Sequence, residues 1–260
     1  SFNHVLIGDH AGHKTLADHG SVAVGYYALA NATSGGYNTA IGYQSLEDNV
    51  AGEFNVGLGY QTLKEANSNQ NTAIGYQSGM DVTSGVANTF VGSSSGYNVT
   101  TGGNNVAVGD SALGTATDSS NIVAIGIYAG DAISDAAADG TVAIGRDALG
   151  ALINGAENTA VGYKALETTG TGANNAAVGY LALTNAPDGA DHNTAIGRKA
   201  LTALNHGSAD ANTAVGANSG LDLTTGYFNT SVGMSAGSNL TTGNNCTSLG
   251  YNADYSGTGA

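Results

Sequence analysis

The pattern of apolar and polar positions repeats about every 17 residues along the chain. Each copy contains a short run that alternates in character and ends on a glycine, as in Asn-Thr-Ala-Ile-Gly at Asn71–Gly75. Successive motif glycines are 16 to 19 residues apart, most often 17. Residues 1–260 are therefore predicted to be a single array of tandem repeats without a domain boundary. The fifteen motif glycines are Gly8, Gly25, Gly42, Gly59, Gly75, Gly92, Gly109, Gly126, Gly145, Gly162, Gly179, Gly197, Gly216, Gly233 and Gly250.

Positions in each repeat are numbered from this glycine as position 0. Position −1 is Val, Ile or Leu in all fifteen copies, and position −3 is Val or Thr in all but Ala176. Position −2 is Ala, Ser or Gly, except for Leu6 and Phe90. Period-two alternation with β-branched residues predicts a strand in which −1 and −3 share one face and −2 and 0 the other. Because −1 is always aliphatic, we predict that it points into the interior of each coil.

The rest of the repeat is rich in turn-forming residues. No Asp, Glu, Lys or Arg occurs from −4 to 0, Asn occupies −4 in ten copies, and +4 is Leu in eight copies and Gly in six. These features predict an all-β fold, a parallel β-solenoid or β-roll of about 15 coils with a 17-residue period. Two short strands per coil are expected, with equivalent positions stacked ~4.8 Å apart. The Asn residues at −4 are expected to form a ladder in which side-chain amides bond the next coil.

The small residues at −2 and 0 allow two interpretations. Ala and Gly permit close approach of another backbone, so this face is a candidate subunit interface. Alternatively, Ala simply fits a narrow interior. Large aliphatic residues are too few to offset easily the entropy lost when each coil becomes ordered. This shortage favours a homo-oligomer and, with it, the interface interpretation.

Composition alone would suggest intrinsic disorder, because 41 of 260 residues are Gly and the formal net charge is −14. The strict periodicity overrides that suggestion. With 20 acidic and 6 basic residues, the chain is a poor partner for nucleic acid. It has no apolar run long enough for membrane insertion. Cys246 is the sole cysteine, so no intrachain disulfide is available, and Ser1 in place of methionine suggests a fragment or processed chain.

The repeat resembles motifs of two fibre families. Ser21–Gly25, which reads Ser-Val-Ala-Val-Gly, and Asn71–Gly75 resemble repeats in the heads of trimeric autotransporter adhesins. The longer form at Asn158–Leu166 is similar to repeats of bacteriophage tail fibres. The resemblance implies a left-handed, homotrimeric β-roll located in a virion, with host attachment as its function and a host-surface glycan or protein and other virion tail proteins as partners. The alternative location that it implies is a bacterial cell surface.

Motifs for catalysis and cofactor binding are missing from the sequence. It contains no phosphate-binding loop, no zinc-protease motif and no hydrolase nucleophile motif. The chain is therefore predicted not to be an enzyme and to need no cofactor. A polysaccharide depolymerase is a distant third hypothesis, because acid pairs such as Glu47 with Asp48 arise by chance in an acidic chain.

Two further groups of residues have both a structural and a functional interpretation. His10 and His13, near Asp9 and Asp18, would be brought together on a trimer axis as a metal site, but solvent-exposed loop histidines are the favoured interpretation and no metal is predicted. Tyr recurs at +1, where it would stack on sugars or between coils, and its regularity favours stacking between coils. The seven are Tyr26, Tyr43, Tyr60, Tyr76, Tyr163, Tyr180 and Tyr251.

Three loops depart from the 17-residue period, at 131–140, 185–192 and 204–211. Extra residues in a solenoid bulge from one side, which is often the binding side, although neutral insertions are equally consistent with the pattern. Acidic and small polar groups in these loops would accept hydrogen bonds from glycan hydroxyls or bind a bridging Ca²⁺. The candidate receptor-binding residues are Asp131, Asp135, Asp139, Asp188, Asp191, Asn205, His206 and Asp210.

Overall fold

The computed structural model describes residues 3–14 and 20–254. Within them, the chain forms fifteen three-residue strands, one turn of 3-10 helix at Ala136–Ala138, and no α-helix. Each strand covers positions −3 to −1 of one repeat. The strands are β1 (Val5–Ile7), β2 (Val22–Val24), β3 (Thr39–Ile41), β4 (Val56–Leu58), β5 (Thr72–Ile74), β6 (Thr89–Val91), β7 (Val106–Val108), β8 (Val123–Ile125), β9 (Val142–Ile144), β10 (Thr159–Val161), β11 (Ala176–Val178), β12 (Thr194–Ile196), β13 (Thr213–Val215), β14 (Thr230–Val232) and β15 (Thr247–Leu249).

The chain divides into two compact units. The first unit comprises the residues up to Ile127 together with Ser134–Ala136, and the second comprises Tyr128–Ile133 and the residues from Ala137 onward. In the first unit β1 to β8 pair in sequence order, and in the second β9 to β15 do so. All these pairs are parallel, with equivalent repeat positions opposite each other. The predicted parallel β-solenoid with its 17-residue period is confirmed, but each described coil has one strand where two were predicted.

Left-handed backbone bends the chain back after each strand. The residue at +2 has a positive φ along the array, for example 53° at Gln44, and a leucine at +4 has the same geometry, as at Leu46 with 53°. This conformation costs a non-glycine residue roughly 1–2 kcal/mol. Leu46 is completely buried, so apolar burial offsets the conformational cost. The restriction of +4 to Leu or Gly in most coils thus reflects a left-handed turn that is filled by Leu or accommodated without strain by Gly.

The glycine at position 0 is required by close approach between coils. Gly42 and Gly59 have φ values of 132° and 140°, which side chains rarely allow. A Cβ atom added to Gly42 would lie 1.9 Å from the carbonyl oxygen of Gly59. The stacked glycines therefore fix the end of each strand directly against the next coil.

The interior is formed by the −2 position, so the prediction that −1 points inward is wrong. Ala73 is completely buried in β5, whereas its neighbour Ile74 is 37% exposed, and Leu58 of β4 is 42% exposed. Alternation fixes which positions share a face, but it does not say which face is inside. The coil is too narrow for branched side chains at −2 when leucines at +4 already fill it. Alanine fits that narrow interior, so the small residues at −2 do not form a subunit interface.

Phe90 is the one large −2 side chain in the buried core, and its neighbours explain it. It is completely buried in β6. Position +4 is Gly96 in its own coil and Gly79 in the preceding coil, whereas eight other coils carry Leu at +4. A Cβ atom at Gly96 would lie 2.5 Å from the Phe90 ring, and one at Gly79 would lie 2.8 Å from it. One aromatic ring therefore occupies the space that two glycines leave.

The asparagines at −4 form the predicted ladder. In the second unit, the backbone N–H of Asn175 donates to Asn158 Oδ1 at 3.0 Å, and that of Asn193 donates to Asn175 Oδ1 at 2.9 Å. Asn175 Nδ2 also donates to the carbonyl oxygen of Ala190 at 2.8 Å. Each amide thus satisfies buried backbone groups of the strand entrance and of the turn, which an apolar residue would leave without partners.

Candidate functional site

The outer face of each sheet carries two files of uncharged side chains. Positions −1 and −3 point outward, and many −1 side chains are more than a third exposed. In the second unit, for example, Val178 is 37% exposed and Ile196 is 42% exposed. Because no charged residue occurs from −4 to 0 in any copy, each unit presents an uncharged surface of aliphatic −1 side chains beside −3 side chains that are mostly Val or Thr, named here the outer sheet face. Sequence reasoning identified these residues but assigned them to the interior.

Stacked tyrosines border the outer sheet face of the first unit. The ring centroids of Tyr26 and Tyr43 are 5.4 Å apart, those of Tyr43 and Tyr60 are 5.1 Å apart, and those of Tyr60 and Tyr76 are 5.2 Å apart. In the second unit, Tyr163 stacks on Tyr180 at 5.5 Å. The structural interpretation is confirmed for these six tyrosines, whereas no ring contact among the described residues shows it for Tyr251. Within the row of four, the inner rings direct their faces at neighbouring rings, so those faces are not free to stack on a sugar.

Three of the candidate acids in the inserted loops hold neighbouring turns of the second unit. Asp188 Oδ1 accepts the backbone N–H of Gly170 at 2.7 Å, and Asp191 Oδ1 accepts that of Ala173 at 2.7 Å. The N–H of Asp191 in turn donates to Asp210 Oδ1 at 2.9 Å. Hydrogen bonds from N–H groups to carboxylates are strong. These acids therefore act at least as turn-capping groups between consecutive coils.

The other two candidates in the third loop are exposed. The N–H of Asn205 donates to the carbonyl oxygen of Thr224 at 3.0 Å, which fixes the backbone but leaves the amide side chain at the surface. His206 Nδ1 accepts the N–H of Ser208 at 3.2 Å within the loop. Both side chains belong to the surface of the second unit, where a ligand has access to them.

The first inserted loop is divided between the two units. In the first unit, the Asp135 carbonyl oxygen accepts the Ser119 hydroxyl at 2.9 Å. In the second, the Asp139 carbonyl oxygen accepts the N–H of Glu157 at 3.3 Å. Asp131 is half-buried and lies in an open groove of about 480 Å³ on the second unit. Of the eight candidates, Asp131 is thus the one that the structure places in a described concave site.

The remaining residues of that groove were not identified from the sequence. The groove is lined by an aromatic ring, three carboxylates, a threonine and two small residues. They are Tyr128, Asp131, Asp147, Gly150, Ala151, Glu167 and Thr168. These residues come from three consecutive repeats, so their proximity depends on how coils stack. The available sequence signal was a glycine at +5, Gly150, between copies with Asp131 and Glu167 at +5.

A lysine among carboxylates marks the surface of the first unit. Lys64 Nζ lies 3.9 Å from Glu47 Oε2, 3.6 Å from Asp48 Oδ2 and 3.8 Å from Glu65 Oε1. Glu47 Oε2 is buried without a hydrogen-bond partner. Burial raises the pKa of Glu47 above 4.5, which Lys64 partly opposes. Burial, followed by repulsion from Glu65, likewise raises the pKa of Asp81.

The histidine pair lies among aromatic and acidic neighbours. The ring centroids of His10 and His13 are 5.0 Å apart, and His10 lies 4.7 Å from the Tyr27 ring. Asp9 Oδ1 is 3.7 Å from His10 Nε2, whereas Asp18 lies outside the described residues. Within residues 3–14 and 20–254, no group of three His, Cys, Asp or Glu side chains is arranged to hold a metal ion.

Comparison with known proteins finds no relative of this chain. No family model, no curated protein and no solved structure matches this chain. Among the described residues, no helix has the length and apolar character needed to cross a membrane. The resemblance to fibre proteins therefore has no support beyond the motif residues, with which the β-solenoid architecture is consistent.

Proposed function

We propose that this chain is a structural and host-receptor-binding segment of a bacteriophage tail fibre, in which three copies assemble in parallel. The observation that carries this proposal is the outer sheet face. Monomeric soluble proteins rarely expose contiguous apolar patches larger than a few hundred Å². In the first unit alone, aliphatic −1 side chains remain exposed over consecutive strands, including Ile41, Leu58 and Ile74 at 36%, 42% and 37%.

A second copy of the same face suits this surface well. Each −1 file is aliphatic and each −3 file is mostly Val or Thr, so neither introduces a charge into a contact. Charges that are buried without partners would oppose association by several kcal/mol. Matching coil spacing on every copy lets side chains interdigitate along the whole face. A homotrimer of this kind would make a stiff fibre that displays its turns outward.

In this assembly, the turns would provide the surface that binds the host cell. Outer-sheet side chains would be covered in the assembly, whereas the inserted loops and the groove on the second unit would remain at its surface. Loops tolerate differences in length and sequence because few contacts depend on them. Asn205, His206 and the groove residue Asp131 are the side chains that would meet a host-surface glycan or protein. Repeated copies on one particle would provide avidity for a weak single site.

The head of a bacterial trimeric surface adhesin is the second candidate, because Ser21–Gly25 matches the adhesin motif and the same outer face would form its trimer. An antibody against this chain distinguishes the two. Labelling of fibres on intact virions, with inhibition of adsorption, supports the tail fibre. Labelling of bacterial surfaces without virions supports the adhesin, and labelling of neither contradicts attachment as the function.

The trimer is tested by light scattering on the purified chain. We expect a particle of about three times the 25.5 kDa chain mass, since three outer faces cover one another. Replacing Ile41, Leu58 and Ile74 together by Asp should reduce the mass to that of one chain, while the fold is retained. As a matched control, Asp at the exposed turn residues Ser34, Ser84 and Thr101 should leave the mass unchanged. A wild-type particle of 25.5 kDa would overturn the assembly.

A further inference from the structure

The groove on the second unit results from one missing side chain in a stacked file. The +5 side chains of consecutive coils are neighbours, as the 3.9 Å contact between Lys64 and Glu47 demonstrates in the first unit. In the second unit the same file runs from Asp131 through Gly150 to Glu167. Gly150 contributes no side chain, and it lines an open groove of about 480 Å³. That volume lies within the range of about 300–1,000 Å³ that is typical of ligand pockets.

The backbone does not require glycine at position 150. Its φ lies outside the left-handed region, in contrast to Gly145, whose φ is 129°. A Cβ atom at Gly150 would have as its nearest neighbour the Asp147 carbonyl oxygen at 3.3 Å, which a shift of a few tenths of an ångström accommodates. Neither strain nor close coil packing therefore explains the glycine. What the glycine supplies is the open groove itself.

Two of the groove carboxylates are held in place by cations. Lys164 Nζ donates to Glu167 Oε1 at 2.6 Å, and Arg146 Nε lies 3.3 Å from Asp147 Oδ2. The side chains of Glu167 and Asp147 are 26% and 18% exposed, so they are largely enclosed. A carboxylate offers about four acceptor positions. Each thus keeps capacity for a ligand donor beyond its ion pair.

The other lining groups complete a mixed polar and apolar surface. The Tyr128 side chain is 41% exposed. The Thr168 hydroxyl donates to the Thr184 carbonyl oxygen at 2.8 Å, so it keeps only acceptor capacity for a ligand. Gly150 and Ala151 form a small-residue section of the wall between these polar groups. An apolar ring beside several hydrogen-bond acceptors suits a ligand that has both C–H faces and hydroxyl donors.

We propose that the Gly150 groove binds a neutral saccharide unit. Its hydroxyls would donate to the carboxylates of Asp131, Asp147 and Glu167, while one face of the sugar ring would lie against Tyr128. This assignment rests on the proposed function, in which the chain attaches to a host surface. An anionic sugar is disfavoured, because three carboxylates line the groove and the whole chain carries a net charge of −14.

The test uses ligand-observed NMR on the intact chain with three probes, the methyl glycosides of mannose, galactose and N-acetylglucosamine. At least one probe, added at a concentration of up to roughly 50 mM, should give a saturation-transfer signal, because a single sugar is expected to bind weakly. Gly150→Gln projects a side chain into the groove beside the three carboxylates and should weaken that binding at least tenfold. Ser238→Gln places the same side chain at +5 of another coil and should bind like the wild type. Both variants should show the wild-type circular dichroism spectrum.

Several results would overturn the proposal. They are the absence of binding by all three probes, binding that survives Gly150→Gln, and tighter binding of N-acetylneuraminic acid than of any neutral probe. Tyr128→Ala provides a second variant should Gly150→Gln unfold, and it should also weaken binding. Host adsorption is measured separately. If Gly150→Gln loses sugar binding but adsorbs normally, the result supports the groove as a sugar site and contradicts its role in host attachment. If the chain mediates adsorption but binds no sugar, the result supports attachment and contradicts the sugar site.

Discussion

Ala195 and Ile196 are neighbours in β12, yet they face opposite sides of the sheet. Ala195 is completely buried, whereas Ile196 is 42% exposed. The inner face uses the smaller residue because leucines at +4, such as Leu201, already occupy the narrow coil. The outer face carries the larger apolar residue, which is only partly covered within its own unit. The chain therefore fills its coil with Ala and Leu and leaves Ile, Leu and Val partly exposed, which is the surface on which the proposed assembly depends.

Placing the same charge on each face of β12 should produce the largest difference between the two positions. Ala195→Asp should prevent folding of its region. Keeping a buried carboxyl protonated at pH 7 costs about 4 kcal/mol, and overpacking adds about 1–3 kcal/mol. Ile196→Asp should cost under about 1 kcal/mol within the chain, because its side chain reaches solvent. Circular dichroism should therefore report loss of β-structure for the first variant and its retention for the second.

Light scattering of the same two variants tests whether position −1 belongs to the proposed partner face. Ile196→Asp should shift the particle towards the mass of one chain while its dichroism is retained. Equal loss of β-structure in both variants would contradict the assignment of −2 to the interior and −1 to the partner face. Ala195→Ser, a small polar replacement already present at −2 as Ser231, is the conservative control and should remain folded.

The next largest effect is expected at the aromatic exception on the inner face. Phe90→Ala should lower the free energy of unfolding by about 3–5 kcal/mol, because Gly79 and Gly96 cannot fill the vacated space. Phe54 is a matched residue at the surface, 50% exposed and stacked on Tyr37 at 5.2 Å. Phe54→Ala should cost about 1 kcal/mol. Urea unfolding of the two variants checks this difference, and similar midpoints would show that Phe90 is not a core residue.

The features of the fold that can be predicted from the sequence are those that each repeat encodes locally. Glycines such as Gly42 fix the period and register, because each copy carries the same requirement. The burial of Ala40 and exposure of Ile41 could not be assigned from alternation, which is symmetrical between the faces. The left-handed conformation of the leucines at +4 could not be predicted either. Intrinsic preference disfavours that conformation for Leu, and burial in the coil overrides this preference.

The candidate site was less predictable for a related reason. Asp188 and Asp191 were singled out as loop acids, but their bonds to the turns of the preceding coil are set by stacking rather than by local sequence. The Gly150 groove becomes visible once the +5 positions of three coils are aligned. Its residues are up to 40 positions apart, from Tyr128 to Thr168. Single-repeat reasoning therefore misses sites that are built across repeats.

The smallest expected effect concerns a carboxyl at the edge between interior and surface. Glu47 is largely enclosed, with 14% of its side chain exposed, and burial raises its pKa above 4.5 against the opposing effect of Lys64. The folded chain thus binds this proton more tightly than the unfolded chain. Stability is lower where both states are ionised, and it increases as the pH falls through the folded-state pKa towards 4.5.

Glu47→Gln should remove that part of the pH dependence, because the amide has no proton to bind in this range. Chemical unfolding of wild type and variant at pH 7 and pH 5 measures it. We expect the advantage of the variant over the wild type to be larger at pH 7 than at pH 5. The exposed residue Glu157 on the second unit gives the control, and Glu157→Gln should follow the wild type at both pH values. A Glu47→Gln advantage that is the same at both pH values would mean that the pKa of Glu47 is the same in the folded and unfolded chains, and that burial does not raise it.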